Sequence, residues 1–403
     1  MSDAAPMPEP PFSMRGIAVA AFGPSLLFGI AEGAVLPVIA LSSRSLGATV
    51  AMAALVVTLI GIGSLVSNIP ASLLTARFGE RKAIVAASGL TLVALLLALA
   101  APNLVVYGAG IFLVGAASAV FNLARQSYLT EAVPVHFRAR ALSTLGGVMR
   151  IGIFLGPFIG ALAITWLGLA GAYWVAAGAV IIAGCVAWTL ADLVHLPSAH
   201  AAAVARPTVR GVLAAKRKLL LTVGIGVLLV SAVRASRQAV IPLWAEHLGL
   251  DATTTSVIYG LSGAVDMLVF YPAGKVMDRR GRAAVAVPSM LIMAAALLLM
   301  PWTGSAVTLL LTALLVGFGN GIGSGMIMTL GADYSPSPGR AQFLGVWRFL
   351  SDIGSSSGPA LLSGVTVVAP LGAGIMVTGL LGIAAAAVLW YWIPRTPGTA
   401  IRR

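Results

Sequence analysis

The sequence predicts an all-α membrane protein in which twelve transmembrane helices form two pseudo-symmetric six-helix bundles. Three observations predict it. Of 403 residues, 59% are apolar and 9% charged, with a mean hydropathy of +1.00, where a soluble domain carries roughly a quarter charged residues. The apolar residues gather in runs of about 18–25, long enough to cross a bilayer as helices. The chain also repeats itself: Pro70–Lys82 (P-A-S-L-L-T-A-R-F-G-E-R-K) returns 202 positions later as Pro272–Arg282 (P-A-G-K-V-M-D-R-R-G-R). A shift of half the chain marks two copies of one membrane unit.

The predicted spans, in order, are 16–40, 50–75, 83–101, 104–129, 142–165 and 170–191, then 218–243, 252–277, 283–301, 305–331, 342–367 and 371–393. They divide the chain into a cytoplasmic tail (1–15), a first bundle (16–191), a linker (192–217), a second bundle (218–393) and a second tail (394–403). Met1–Ser13 is polar and Pro-rich without the parts of a signal peptide, so the first apolar run reads as a retained helix. The two signature stretches read as tight polar loops between the second and third spans of each half. The same shift of 202 carries Gly115 to Gly317, Glu131 to Asp333, Pro134 to Pro336 and Arg138 to Arg340. It also carries Gly152, Gly156 and Pro157 to Gly354, Gly358 and Pro359. In the first span the shift is 205, matching Ala34–Pro37 with Ala239–Pro242.

Charge sets the expected orientation. Arg77, Arg81, Lys82, Arg138, Arg140, Arg206, Arg210, Lys216, Arg217, Lys218, Arg279, Arg280, Arg282 and Arg340 fall in one set of loops. Arg15, Arg395, Arg402 and Arg403 add to the same side, and Arg44 stands almost alone on the other. That asymmetry places both termini and the linker in the cytoplasm. The linker, basic and rich in alanine, reads as a tether near anionic lipid. The net charge of +13 is therefore topology rather than a nucleic-acid surface. Arginine outnumbers lysine 21 to 4 and alanine is abundant, a composition resembling high-GC bacteria and so an inner membrane. A single cysteine, Cys185, forms no intrachain disulfide, and the histidines are too scattered for a metal site.

These marks resemble the major facilitator superfamily over essentially the whole chain. Gly274, Asp278, Arg279, Gly281 and Arg282 match its G-x-x-x-D-R-x-G-R signature. The first copy keeps Arg77, Gly79, Arg81 and Lys82 but has Ser72 for the glycine and Ala76 for the aspartate. The resemblance implies a conformational latch: Asp278 meeting the start of the fifth helix across the halves, with Ala76 leaving the first-half latch incomplete. Gly152-x-x-x-Gly156-Pro157-x-x-Gly160 and Leu36-Pro37-Val38 resemble marks of the twelve-helix drug:proton antiporters. The arginine usual in their fourth helix is missing, Ile111 standing about where it belongs.

Charges inside the spans are the candidate machinery, since each costs about 2.5–3.5 kcal/mol at the bilayer centre on insertion scales. They are Glu32, Arg125, Arg150, Arg234, Arg237, Asp266, Arg348 and Asp352. The resemblance implies that helices 1, 4, 7 and 10 line a central cavity. Glu32 is the only acid among them and the expected proton carrier, with its symmetry mate Arg237 as partner and Asp266 as the competing carrier. Arg234 and Arg237 share one face of their helix, and Asn122, Arg125 and Gln126 make a comparable polar patch. With Glu32, Tyr259 and Asn320 they are the candidate substrate-binding residues. Arg150 and Asp266 are expected to pair across the halves, and Arg348 and Asp352, four apart, within one helix. Asp266, Tyr259, Ser262 and Phe270 form a stripe on a cavity or interface face. Trp244, Trp302, Trp390, Tyr391 and Trp392 read as interfacial belts.

The expectation is a monomeric secondary transporter without cofactor and not an enzyme: a proton-coupled exporter of small amphipathic compounds. With no G-x-x-x-x-G-K-[ST] loop, the proton gradient is the expected energy source. An uptake symporter for a small anion is the alternative, favoured by intramembrane arginines outnumbering acids. A sensor or scaffold lacks a signalling domain in this chain, and no nucleophile, base and orienting acid gather for catalysis.

Overall fold

The computed structural model describes residues 14–133, 135–190, 209–336 and 339–395, and these contain helices but no strand. The expectations for the tail 1–13, Pro134, the linker residues 191–208 and the tail 396–403 lie outside the described residues. So do the side chains of Arg15, Arg138, Arg140, Arg206, Arg210 and Arg340.

Twelve long helices carry the fold. In the first half, α1 runs Met14–Val35, passes a 3-10 turn at Leu36–Val38 and continues as Ile39–Ser45. Then come α2 (Val50–Phe78), α3 (Glu80–Leu99), α4 (Leu104–Ala132), α5 (Val135–Leu167) and α6 (Ala170–Trp188). A short helix, Val209–Ala215, occupies the end of the linker. The second half has α7 (Arg217–His247), α8 (Ala252–Arg280) and α9 (Ala283–Trp302). It continues with α10 (Ala306–Ile322 and Met326–Tyr334), α11 (Arg340–Val368) and α12 (Leu371–Trp392). Among the described residues eleven helices are apolar enough to span a membrane on composition alone. The twelfth, α11, is 29 residues long but carries Arg348, Asp352 and Ser355–Ser357. One of these polar groups is met by α2: Asn68 Nδ2 donates to Asp352 Oδ2 at 2.9 Å.

The repeat is visible in the ends of the helices. Thr49, Asn103, Asp251 and Ser305 cap α2, α4, α8 and α10, each side-chain oxygen accepting from a first-turn N–H. Thr49 and Asp251, like Asn103 and Ser305, are 202 residues apart. At the other end the signature stretches are largely helix, not loop. α2 continues to Phe78 and α8 to Arg280, and the chain reverses at Gly79 (φ +83°) and Gly281 (φ +88°). Polar side chains reach water without unwinding the backbone, and glycine alone takes this φ without strain. The arginines there sit where the negative end of the helix dipole favours them.

Within the first half α1 packs on α5 and α6, α2 on α4, and α3 on α4 and α6. The second half repeats this with α7 on α11 and α12, α8 on α10, and α9 on α10 and α12. The halves meet through two equivalent contacts, α2 with α11 and α5 with α8. Both α5 and α11 approach their partners through glycines. A Cβ on Gly156 would lie 2.5 Å from Ile30 O and 2.6 Å from Ala34 N of α1, and one on Gly152 would strike Leu26 O. The copies Gly354 and Gly358 face Leu228 O and Ala232 O of α7 in the same way. Gly160 approaches Ala34 less closely, at 3.4 Å. Pro157 packs against Gly260 of α8, on the inter-half side, and Pro359 sits inside α11. The motif that resembles an exporter mark is thus a close-packing seam present in both halves.

Two smaller expectations change. Trp244 is not an interfacial belt residue: it is 5% exposed, and its Nε1 donates to Thr303 Oγ1 at 2.7 Å. Trp302, Trp390 and Tyr391 are exposed, as belt residues are. Ser262 does not face a cavity; its hydroxyl donates to Ala313 O of α10 at 2.6 Å.

Candidate functional site: a charged seam between the halves

The seam is built around Asp266 on α8. Its Oδ2 accepts from Asn320 Nδ2 at 2.6 Å and lies 3.5 Å from Arg237 Nη1. Asn320 is placed by the glycine-rich run G-N-G-I-G-S-G (Gly319–Gly325), in which α10 stops at Ile322 and restarts at Met326. Arg234, one turn before Arg237, fills that break. Its Nε donates to Asn320 Oδ1 at 2.6 Å, its Nη1 to Gly323 O at 3.3 Å and its Nη2 to Ser324 Oγ at 3.5 Å. A chain of hydrogen bonds therefore runs from the broken helix through Arg234 and Asn320 to Asp266. Asp266 Oδ1, at the end of that chain, is buried without a hydrogen-bond partner among the described residues.

Arg150 enters from α5 of the other half. It does not form the expected ion pair with Asp266; its guanidinium stacks on the Phe270 ring at 4.0 Å from the centroid. It remains within electrostatic reach of Asp266 and Arg237, and its Nη1 is buried without a hydrogen-bond partner among the described residues. Phe270 is one turn from Asp266 on α8, so the ring that covers the guanidinium face stands on the same helix as the carboxylate. Arg237 likewise has the Tyr259 ring beside it, at 5.9 Å.

Glu32 departs from expectation in its partner. Arg237 is held by Asp266 of its own half, and the cation first in electrostatic reach of Glu32 is Arg125 of α4. The symmetry that relates Glu32 and Arg237 puts them at equivalent places in opposite halves, whereas Asp266 is on the helix beside Arg237. Glu32 lines a cavity of about 30 Å³ inside the first bundle, walled by Phe28, Val35, Leu95 and Val114, with Thr91 and Ser118. Arg125 lies over Phe121 at 5.9 Å, and its Nε and Nη1 are buried without hydrogen-bond partners among the described residues. Asn122 is half-buried, while Gln126 is exposed. Arg348 and Asp352 approach to 4.0 Å, and the closer partner of Asp352 is Asn68 across the halves, which the charge pattern did not reveal.

Comparison with known proteins adds the family. A model described as Major Facilitator Superfamily matches residues 22–359, with a second match at 223–402. The chain belongs to the major facilitator superfamily. Solved structures agree on the fold. A D-xylose-proton symporter is 17% identical, with a TM-score of 0.72 over 96% of this chain and 100% of its own. A nucleoside transporter, NupG, is 13% identical with a TM-score of 0.76 over 94% of this chain and 99% of its own. An auto-inhibited POT family peptide transporter is 14% identical with a TM-score of 0.76 over 96% and 98%. No curated protein matches the chain. It is a multi-pass membrane transporter of a small molecule, not an enzyme.

In this transporter the signature loops and the opposite end play different parts. Asp278 is 75% exposed on its side chain and bonds Arg282 Nη1 at 3.1 Å, inside its own turn. Arg282 Nε in turn meets Asp333 Oδ2 of α10 at 2.8 Å, and this bond is the first cause holding the Arg282 pKa above its ordinary value. In this conformation the intact signature thus ties α8 to α10, and Asp278 has no partner across the halves among the described residues. Arg77 and Arg81 lie over Phe78 and Trp188. Gly274 and Arg279 are in the last turns of α8, Arg279 exposed.

The opposite end carries a further tie between the halves, besides Asn68–Asp352. Arg44 Nε meets both carboxylate oxygens of Glu246, at 2.9 and 3.1 Å, and Ser363 Oγ donates to Ala51 O at 2.8 Å. Glu246 escaped the sequence reading although a signal existed: it is 202 residues from Arg44, its symmetry mate with the charge reversed.

Proposed function

We propose that the transporter is a proton-coupled secondary exporter of small amphipathic compounds. On this reading it sits in a bacterial inner membrane as a monomer, with both termini cytoplasmic. The observation that carries proton coupling is Glu32: a lone carboxylate facing a small cavity whose walls are mostly apolar. A site of this size has room for water, which needs about 10–15 Å³, and hence for a proton path. Arg125 within electrostatic reach supplies a charge that competes with the proton. Rocking of the halves about the α2–α11 and α5–α8 contacts would expose the seam to each side in turn. The resemblance of Gly152–Gly160 and Leu36-Pro37-Val38 to drug:proton antiporters supports the outward direction, and the loop arginines support the orientation.

Uptake of an anion together with protons is the second reading, favoured by four guanidiniums (Arg125, Arg150, Arg234, Arg237) facing two carboxylates. Inverted membrane vesicles test both, using a panel of fluorescent cationic, neutral and anionic compounds under an imposed proton gradient. The export reading expects gradient-driven accumulation inside them, abolished in Glu32→Gln while exchange of the bound compound continues. Accumulation only in right-side-out vesicles would establish uptake instead. Gradient-driven flux that survives Glu32→Gln would reassign the proton to Asp266.

A further inference from the structure

We infer that the substrate carries an anionic head, a carboxylate or a group of like charge. Its seat is the part of the seam where Arg150 of the first half faces Arg237 and Asp266 of the second. The inference rests on the transport reading and names the chemistry of its substrate. Three guanidiniums, Arg150, Arg234 and Arg237, stand within electrostatic reach of the single carboxylate of Asp266. Only one is fully employed: Arg234 donates to Asn320, Gly323 and Ser324, which makes it a positioning residue. Arg237 holds Asp266 by one long contact of 3.5 Å. Arg150 has a buried Nη1 with no acceptor among the described residues. Leaving a buried charged donor unmet is costly, and such orphans mark the place of a missing partner.

The geometry also says how the partner is held. Phe270 covers the face of the Arg150 guanidinium at 4.0 Å, leaving the edge, whose paired N–H groups fit the two oxygens of a carboxylate. Phe270 and Tyr259 supply aromatic surface beside both arginines for an apolar body. An anion in this seat would engage Arg150 from α5 and Arg237 from α7 together, joining the halves at the middle of the chain's seam. A cation there would meet the surplus of positive charge.

The test uses the purified full chain in lipid nanodiscs without any gradient. Benzoate, benzamide and benzylamine, alike in size and different in charge, are titrated against thermal unfolding at constant chloride. Benzoate alone is expected to raise the Tm, with its half-saturating concentration at least 10-fold higher in Arg150→Gln and only partly recovered in Arg150→Lys. Arg237→Gln gives an independent reading if Arg150→Gln does not fold, and Arg395→Gln, an exposed residue just past α12, should leave the shift unchanged. Stabilisation by benzamide or benzylamine equal to that by benzoate, a benzoate shift that survives Arg150→Gln, or no shift from benzoate would each overturn the inference. Because binding is read without a gradient, its failure is distinct from a failure of proton coupling, which would leave benzoate binding intact.

Discussion

Glu32 and Asp266 each bring a carboxylate into the membrane, and their surroundings differ. Asp266 is gripped by Asn320 and Arg237, whereas Glu32 faces a cavity with no ion pair to it among the described residues. Composition alone cannot separate the two, because what differs is which neighbour arrives from another helix. A third acid, Asp251, lies outside the spans and has a simpler task. It accepts from the N–H and hydroxyl of Thr254, both at 2.8 Å, and the backbone bond is the first cause depressing its carboxyl pKa. Asp251→Ala should therefore cost about 1 kcal/mol of stability at neutral pH, the usual worth of such a cap. A depressed folded pKa means that the unfolded chain binds the proton more readily. The stabilisation is whole above the ordinary carboxylate range and is lost as the pH falls through the folded value. Thermal unfolding in detergent at pH 7 and near pH 3 checks this: the gap between wild type and variant should narrow at the lower pH.

At the scale of elements, the glycines of α5 and α11 set how closely the helices of each bundle approach. Gly156→Ala places a methyl group against Ile30 O and Ala34 N, backbone atoms that have nowhere to move. The expected cost is about 1–3 kcal/mol, read as a lower Tm and a smaller monodisperse peak on size exclusion. Gly146→Ala, on the same helix, meets nothing within 4 Å of its added carbon. It should instead gain up to about 1 kcal/mol from the lower entropy of the unfolded chain. Equal behaviour of the two variants would mean that the α1–α5 seam is looser than described. The same scale explains the signature stretches: Arg282, in the turn after α8, bonds Asp333 of α10, so the motif here braces one bundle rather than latching two.

For the whole molecule, the conformation is held at the end opposite the termini by Arg44–Glu246 and by Ser363 on Ala51. The ion pair is partly exposed, so it is worth no more than about 1 kcal/mol, or a fivefold change in population. Arg44→Glu and Glu246→Arg should each raise thiol labelling of a cysteine placed at Ser363, in a background lacking Cys185, by up to about that factor. The double exchange should restore protection. If labelling is additive across the two variants, the pair does not act as a gate.

The repeat and the twelve helices follow from the sequence alone, and the caps at Thr49 and Asp251 and the reversals at Gly79 and Gly281, which the structure revealed, obey the same repeat. Helix length against bilayer thickness and the backbone demands of caps and turns are local matters, and a repeated sequence repeats them. The family resemblance was legible for the same reason, resting on short glycine and charge patterns at fixed spacing. Partners were not legible. Arg237 with Asp266 rather than Glu32, Arg150 on Phe270, Asn68 on Asp352 and Arg44 on Glu246 are choices made between different helices. A side chain in the membrane takes whichever compatible group the packing brings within about 3–4 Å. Spacing along one chain specifies the face of a helix, and only the tertiary structure decides what that face meets.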